Sequence, residues 1–186
     1  LPQVRQVKGV LFVDYVRMLR GLKGVDLRPL LPPEDLALLA ERIDPVAWYP
    51  MDAFERLGNV ILRLVARGDL QAVRMWGRFS VDALRFANKG LVHVGDPIET
   101  INRFRVLRST FFDFSALDVL MLHDDEAHIE VRYHMGDTAE EAAAMQTLGF
   151  FERLLEYAGA REVEAGFAER SWAGAARTVL TLHWGM

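Results

Sequence analysis

The sequence predicts an α+β protein: an N-terminal helical half packed on a C-terminal ββαββ four-stranded antiparallel sheet. Two observations carry this. Apolar residues recur at steps of three and four up to about residue 115, the period of amphipathic helices. Beyond that point the period changes to two, and one long helical run sits between two pairs of alternating segments. At 186 residues, 51% of them apolar and 26% charged, the chain is the length of one domain. We therefore expect a single domain over 1–186, with a helical subdomain at 1–115 and a ββαββ subdomain at 116–186.

The first predicted helix covers Val7 to Leu22, with Val7, Val10, Leu11, Tyr15, Met18, Leu19 and Leu22 as its apolar stripe. Pro33 suits the first turn of a second helix, where Glu34 and Asp35 meet its positive end. Trp48-Tyr49-Pro50 reads as an aromatic lead-in to a third helix, Met51 to about Arg67. Gly68-Asp69 ends that helix and caps a fourth, which is expected to run to about Lys89. Asp96-Pro97-Ile98-Glu99 has Asp at the cap, Pro at the first position and Glu at the third, a start signal for a short fifth helix.

In the second half, Leu117 to Leu122 and His128 to Met135 read as a hairpin with a polar turn between them. Ile129, Val131, Tyr133 and Met135 form its buried face. Asp137 or Thr138 caps a helix that stops at Gly159. Arg161 to Glu169 and Ala175 to Trp184 give the second hairpin.

Composition removes several classes of protein. The chain has no cysteine, which excludes disulfide scaffolds, thiolate metal sites and a cysteine nucleophile. No apolar run is long enough to span a bilayer. The chain starts at Leu1 without a basic-then-apolar leader, so a cytoplasmic location is expected. The net charge of −4 is uneven. Residues 1–115 balance to +4 and residues 116–186 to −8, which suits a partner-binding face or self-association. It is too weak a basic footprint for nucleic acid.

The layout resembles the haem nitric-oxide-binding, 4-vinyl-reductase-domain and TRAPP-like group: a helical first part, then ββαββ. The stretch Gly149–Ala160 adds to it, where a long helix closes on a glycine and leads into the last hairpin. Trp48-Tyr49-Pro50 and Trp76-Gly77-Arg78 also look like features of an uncharacterised bacterial family of similar length. The resemblance implies a sensory or dimerising binding module. The Tyr-x-Ser-x-Arg motif that grips haem propionates in that group is missing, as are the cysteines of its thiol-using members. The group's cofactor chemistry is therefore expected to be absent, and no cofactor is assigned.

Candidate sites follow from the residues. Arg74, Arg78, Arg85 and Lys89 fall within an arc of about 60° on the fourth helix, at 100° per residue. Since the rest of that helix is largely apolar, this stripe is expected to be its solvent window. It is a seat for an anion or an acidic partner, partly neutralised by Asp82. Trp76 and Phe104, with other aromatics of the helical half, could line an apolar pocket between helices and sheet. Trp172, in a predicted turn, either folds back or meets a partner. His123, Asp124, Asp125, Glu126 and His128 cluster in the first hairpin turn but match no known metal spacing.

Three readings follow. The first is a non-enzymatic sensory or interaction module that binds a small apolar or anionic ligand and signals through dimerisation; its expected partners are a small molecule or a partner protein, with the chain itself a homodimer. The second is a ligand-free protein-interaction scaffold. The third is a metal-dependent hydrolase using His123 and His128.

Overall fold

The computed structural model describes residues 3–186. In chain order its elements are β1 (Gln6–Lys8), α1 (Gly9–Arg20), α2 (Pro33–Ala40), β2 (Trp48–Pro50), α3 (Met51–Leu64), α4 (Leu70–Ala87) and α5 (Pro97–Leu107). Then come β3 (Leu117–His123), β4 (Glu126–Val131), α6 (Asp137–Tyr157), β5 (Arg161–Glu169) and β6 (Thr178–Gly185). The chain divides into two compact units. One is the chain up to Gly68 with Ser109–Phe114; the other is Asp69–Arg108 with Ser115–Met186.

In the first unit, Val7 lies in a strand rather than on the predicted helical stripe. It pairs with Tyr49 across an antiparallel β1–β2 ribbon, and the Lys8 amide donates to the Phe111 carbonyl at 2.8 Å. Helix α1 starts only at Gly9. There a Cβ would sit 1.9 Å from the Asp44 carbonyl oxygen, so the turn closes only around glycine. Trp48-Tyr49-Pro50 is correspondingly a strand, not a lead-in. Helical periodicity could not reveal this, because the partners that capture these backbone groups are far apart in sequence. Tyr49 stacks on Phe12 at 4.8 Å and Phe54 on Tyr15 at 4.3 Å. Asp35 at the start of α2 is fully buried, and Arg56 of α3 grips both its oxygens at 2.7 and 2.8 Å.

The second unit contains the predicted ββαββ sheet, in the order β3-β4-β6-β5 with every neighbouring pair antiparallel. Ala127, Ile129, Val131, Leu180, Leu182 and Trp184 form its buried face. Ala144, Leu148, Phe151, Leu154 and Leu155 of α6 are buried with them.

The predicted end caps hold in part. Asp69 accepts from the Gln71 amide and Asp96 from the Glu99 amide. Helix α6 departs from expectation: Gly136 is its cap, and Asp137 is already helical. Strand β4 also stops at Val131, short of Met135. Both differences have one cause. The carboxylate of buried Glu140 accepts from the amides of Tyr133 at 2.7 Å and Met135 at 3.0 Å. These amides therefore turn to the helix instead of a strand, and His134 between them has φ +57°. Helix α4 ends at Ala87, so Lys89 lies beyond it. Among the described residues, no helix is long and apolar enough to cross a membrane.

Candidate functional site

The predicted cationic stripe of α4 does not face solvent. It lies along α6, and two glycines explain why. A Cβ at Gly77 would be 1.8 Å from the Gln146 carbonyl oxygen, and one at Gly149 would be 1.9 Å from that of Arg74. The two helices thus cross in backbone contact, a distance only glycine allows. On one side of the crossing, arginines of α4 reach carboxylates of α6.

Arg74 is bidentate on Glu152: its Nε lies 3.0 Å from Oε2, and its Nη2 bonds Oε1. Arg78 Nη2 donates to both oxygens of Glu156 at 2.9 and 2.8 Å, and Arg78 Nη1 is 3.5 Å from Glu152. Arg153, one turn before Tyr157 on α6, adds a bond to Glu156 at 2.9 Å. Beyond them the Arg85 guanidinium lies 3.7 Å over the Tyr157 ring. The Tyr157 hydroxyl accepts from Arg153 at 3.2 Å and donates to Asp82. Desolvation by itself would raise the Glu156 carboxyl, but the bonds from Arg78 and Arg153 outweigh it and hold the group below its ordinary value.

Arg74 and Arg78 thus spend their forks on Glu152 and Glu156, and Arg85 lies over the Tyr157 ring. Lys89 is exposed past the helix end. Sequence reading missed Glu152, Glu156 and Tyr157. A signal existed: Glu152 and Glu156 repeat the four-residue step of Arg74 and Arg78, with a glycine beside each pair.

The remaining candidates are scattered. Phe104 is buried, 5.3 Å from the Phe150 ring and 4.9 Å edge-on from Phe151. Trp76 is half-buried on α4. Trp172 folds back edge-on against Phe167 at 5.3 Å. In the first hairpin, His128 Nε2 lies 2.7 Å from Glu126 and His183 Nε2 lies 3.6 Å from the same carboxylate. His123 stays exposed at the end of β3. Among the described residues, no group of three or more His, Cys, Asp or Glu side chains is placed to hold a metal ion.

The surface of α4 that does face outward is apolar. Met75, Phe79 and Phe86 are 47%, 63% and 85% exposed. Phe79 and Phe86, aromatics of the helical half, are therefore not part of the core. With glycine drawing α4 onto α6 and the arginines turned with it, the aromatic edge is the side left over.

With the architecture in place, its class is plain: the chain has the fold of the H-NOX domains. An H-NOX protein from S. oneidensis in the Fe(II)NO state superposes with a TM-score of 0.65 and 9% identity, covering 96% of this chain and 99% of that one. An unliganded Fe(II) mutant H-NOX protein from K. algicida gives 0.64 at 12% identity, over 96% and 97%. A point mutant of the T. tengcongensis H-NOX gives 0.60 at 13%, over 96% and 98%. No family model and no curated protein matches the sequence.

The fold family implies a haem, and the residues present do not fit one. Haem iron needs an axial side chain, most simply an imidazole, presented inside an apolar pocket. The five histidines are His93, His123, His128, His134 and His183. None lies in a helix and none is buried; His128 alone is half-buried, and its ring is bonded to Glu126. Tyr133, which follows β4, is followed in turn by His134, Met135, Gly136 and Asp137, so the propionate-gripping serine and arginine are missing there.

Proposed function

We propose that this chain is a non-enzymatic interaction module on the H-NOX fold, which signals by associating with a protein surface, first of all a second copy of itself, and not through a haem. The observation that carries this reading is the outward face of α4. It leaves two phenylalanine rings more than half exposed, where apolar exposure of that kind marks an association surface. The misfit to haem supports the same reading. So does the arginine stripe: Arg74 and Arg78 spend their donors on Glu152 and Glu156, and an incoming anion would have to displace buried or half-buried carboxylates. An anionic small-molecule ligand at that stripe is therefore disfavoured, and among the described residues the first hairpin gathers no group of three metal-ligating side chains for a hydrolase.

The test combines association and haem binding. Sedimentation equilibrium of the purified chain is expected to show a reversible dimer. Titration with haem is expected to give no saturable one-to-one complex with a histidine-ligated Soret band. A chain that stays monomeric throughout the micromolar range, or a tight histidine-ligated haem complex, would overturn the reading.

A further inference from the structure

We propose that two copies of this chain pair through the outward face of α4, antiparallel, about a two-fold axis at Phe79. The proposal rests on the association reading above and assigns it a surface and a geometry.

The stripe consists of Ala72, Met75, Phe79, Ala83 and Phe86. Its steps of three and four residues are those of a helix–helix seam. They are also symmetric: Ala72 and Phe86 lie seven residues either side of Phe79, and Met75 and Ala83 lie four either side. An antiparallel copy therefore meets the stripe in register. Ala72 is placed against the partner's Phe86, Met75 against the partner's Ala83, and Phe79 against its own counterpart. A large side chain meets a small one in each outer layer, which is how facing helices interdigitate.

Charge agrees with this arrangement. Arg74, Arg78 and Arg85 are turned onto α6 and its ion pairs, so no cation of α4 interrupts the seam. Asp82 at its border accepts the Tyr157 hydroxyl. Exposed Asp69 caps one end of α4 and exposed Lys89 follows the other, so the two ends of the seam carry the opposite charges that an antiparallel copy brings together.

The area sets the strength. Met75, Phe79 and Phe86, at their observed exposures, offer on the order of 400 Å² per copy. That is about half of what a standard stable interface buries per partner, so the dimer belongs in the micromolar range and exchanges.

The chain has no cysteine, which allows a direct test by sedimentation and oxidative cross-linking. Phe79→Glu is expected to weaken the dimer at least about tenfold with an unchanged far-ultraviolet circular dichroism spectrum. The double variant Met75→Cys/Ala83→Cys keeps both phenylalanines and is expected to oxidise to a covalent dimer. Neither single variant should do so, because each position lies about 12 Å along the helix axis from its own counterpart, beyond disulfide reach. A dimer indifferent to Phe79→Glu would overturn this surface while leaving the association reading intact. Ready cross-linking of Met75→Cys alone, or none from the double variant, would overturn the antiparallel two-fold. A chain that is monomeric at every concentration would overturn both the surface and the reading beneath it.

Discussion

Glu152 is buried and holds the guanidinium of Arg74 in a bidentate grip. Removing its charge with Glu152→Gln leaves a largely covered cation short of its counterion. That is costlier than losing an exposed pair, and a loss of about 2 kcal/mol is expected in urea unfolding. Glu156 makes the seam sensitive to acid. Its folded carboxyl titrates below the ordinary value of 4.5, so its stabilisation is complete above that value and fades as pH falls through the lower, folded one. Stability is expected to drop from about pH 4.5 downward, and Glu156→Gln should flatten that slope. Gly77→Ala is more severe than either, since the added methyl has only backbone to meet, 1.8 Å away at the Gln146 carbonyl. About 3 kcal/mol or complete loss of folding is expected, and Gly149→Ala should behave alike. These residues were half legible. The arginine spacing placed one side of the seam, but the glutamates that answer it lie 78 positions away. Nothing in a local pattern pairs residues over that distance.

At the scale of elements, the caps divide along the same line. Asp96 carries its capping role in its own neighbourhood, accepting from the Glu99 amide at 2.9 Å. It was visible from the Asp-Pro-Ile-Glu spacing alone, and Asp96→Ala should cost about 1 kcal/mol in the same unfolding assay. The start of α6 was legible to within a residue or two, but its structural basis was not, because Glu140 reaches back past the cap to the amides of Tyr133 and Met135. That contact shortens β4 at the same time. The ribbon of β1 and β2 was hidden for a similar reason: three residues on each side are too few to show a period of two, and the pairing joins distant positions, Gln6 with Pro50 and Lys8 with Trp48. Helices α3, α4 and α5 and all four strands of the larger sheet were placed to within a few residues, since each is long enough for its apolar spacing to repeat.

For the whole molecule, the proposed self-association has a thermodynamic signature. A dimer that forms only from folded chains raises the apparent midpoint of thermal unfolding as protein concentration rises. That dependence is expected in the parent chain and should shrink markedly in Phe79→Glu. The H-NOX fold is present at about a tenth identity to solved structures, and what departs from them is the chemistry, not the frame. A frame of this kind needs only apolar residues at the right period and turns in the right places, which many sequences supply. A haem site needs particular side chains at particular points, and here the histidines lie at loops and on the polar face of the sheet.

By itself, the sequence determined the ββαββ order, the helix that closes on Gly159, the capped start of α5 and the lack of thiol chemistry. Each is written in neighbouring residues or in composition. Only the tertiary structure decided which way α4 is turned. Its wheel carries an aliphatic arc of Val73, Val81 and Leu84, an aromatic arc of Phe79 and Phe86 and a cationic arc between them, and hydrophobicity alone does not choose which apolar arc to bury. The close crossing at Gly77 and Gly149 makes the choice: it buries Val73, Val81 and Leu84, pairs Arg74 and Arg78 with Glu152 and Glu156, and leaves Phe79 and Phe86 to the outside.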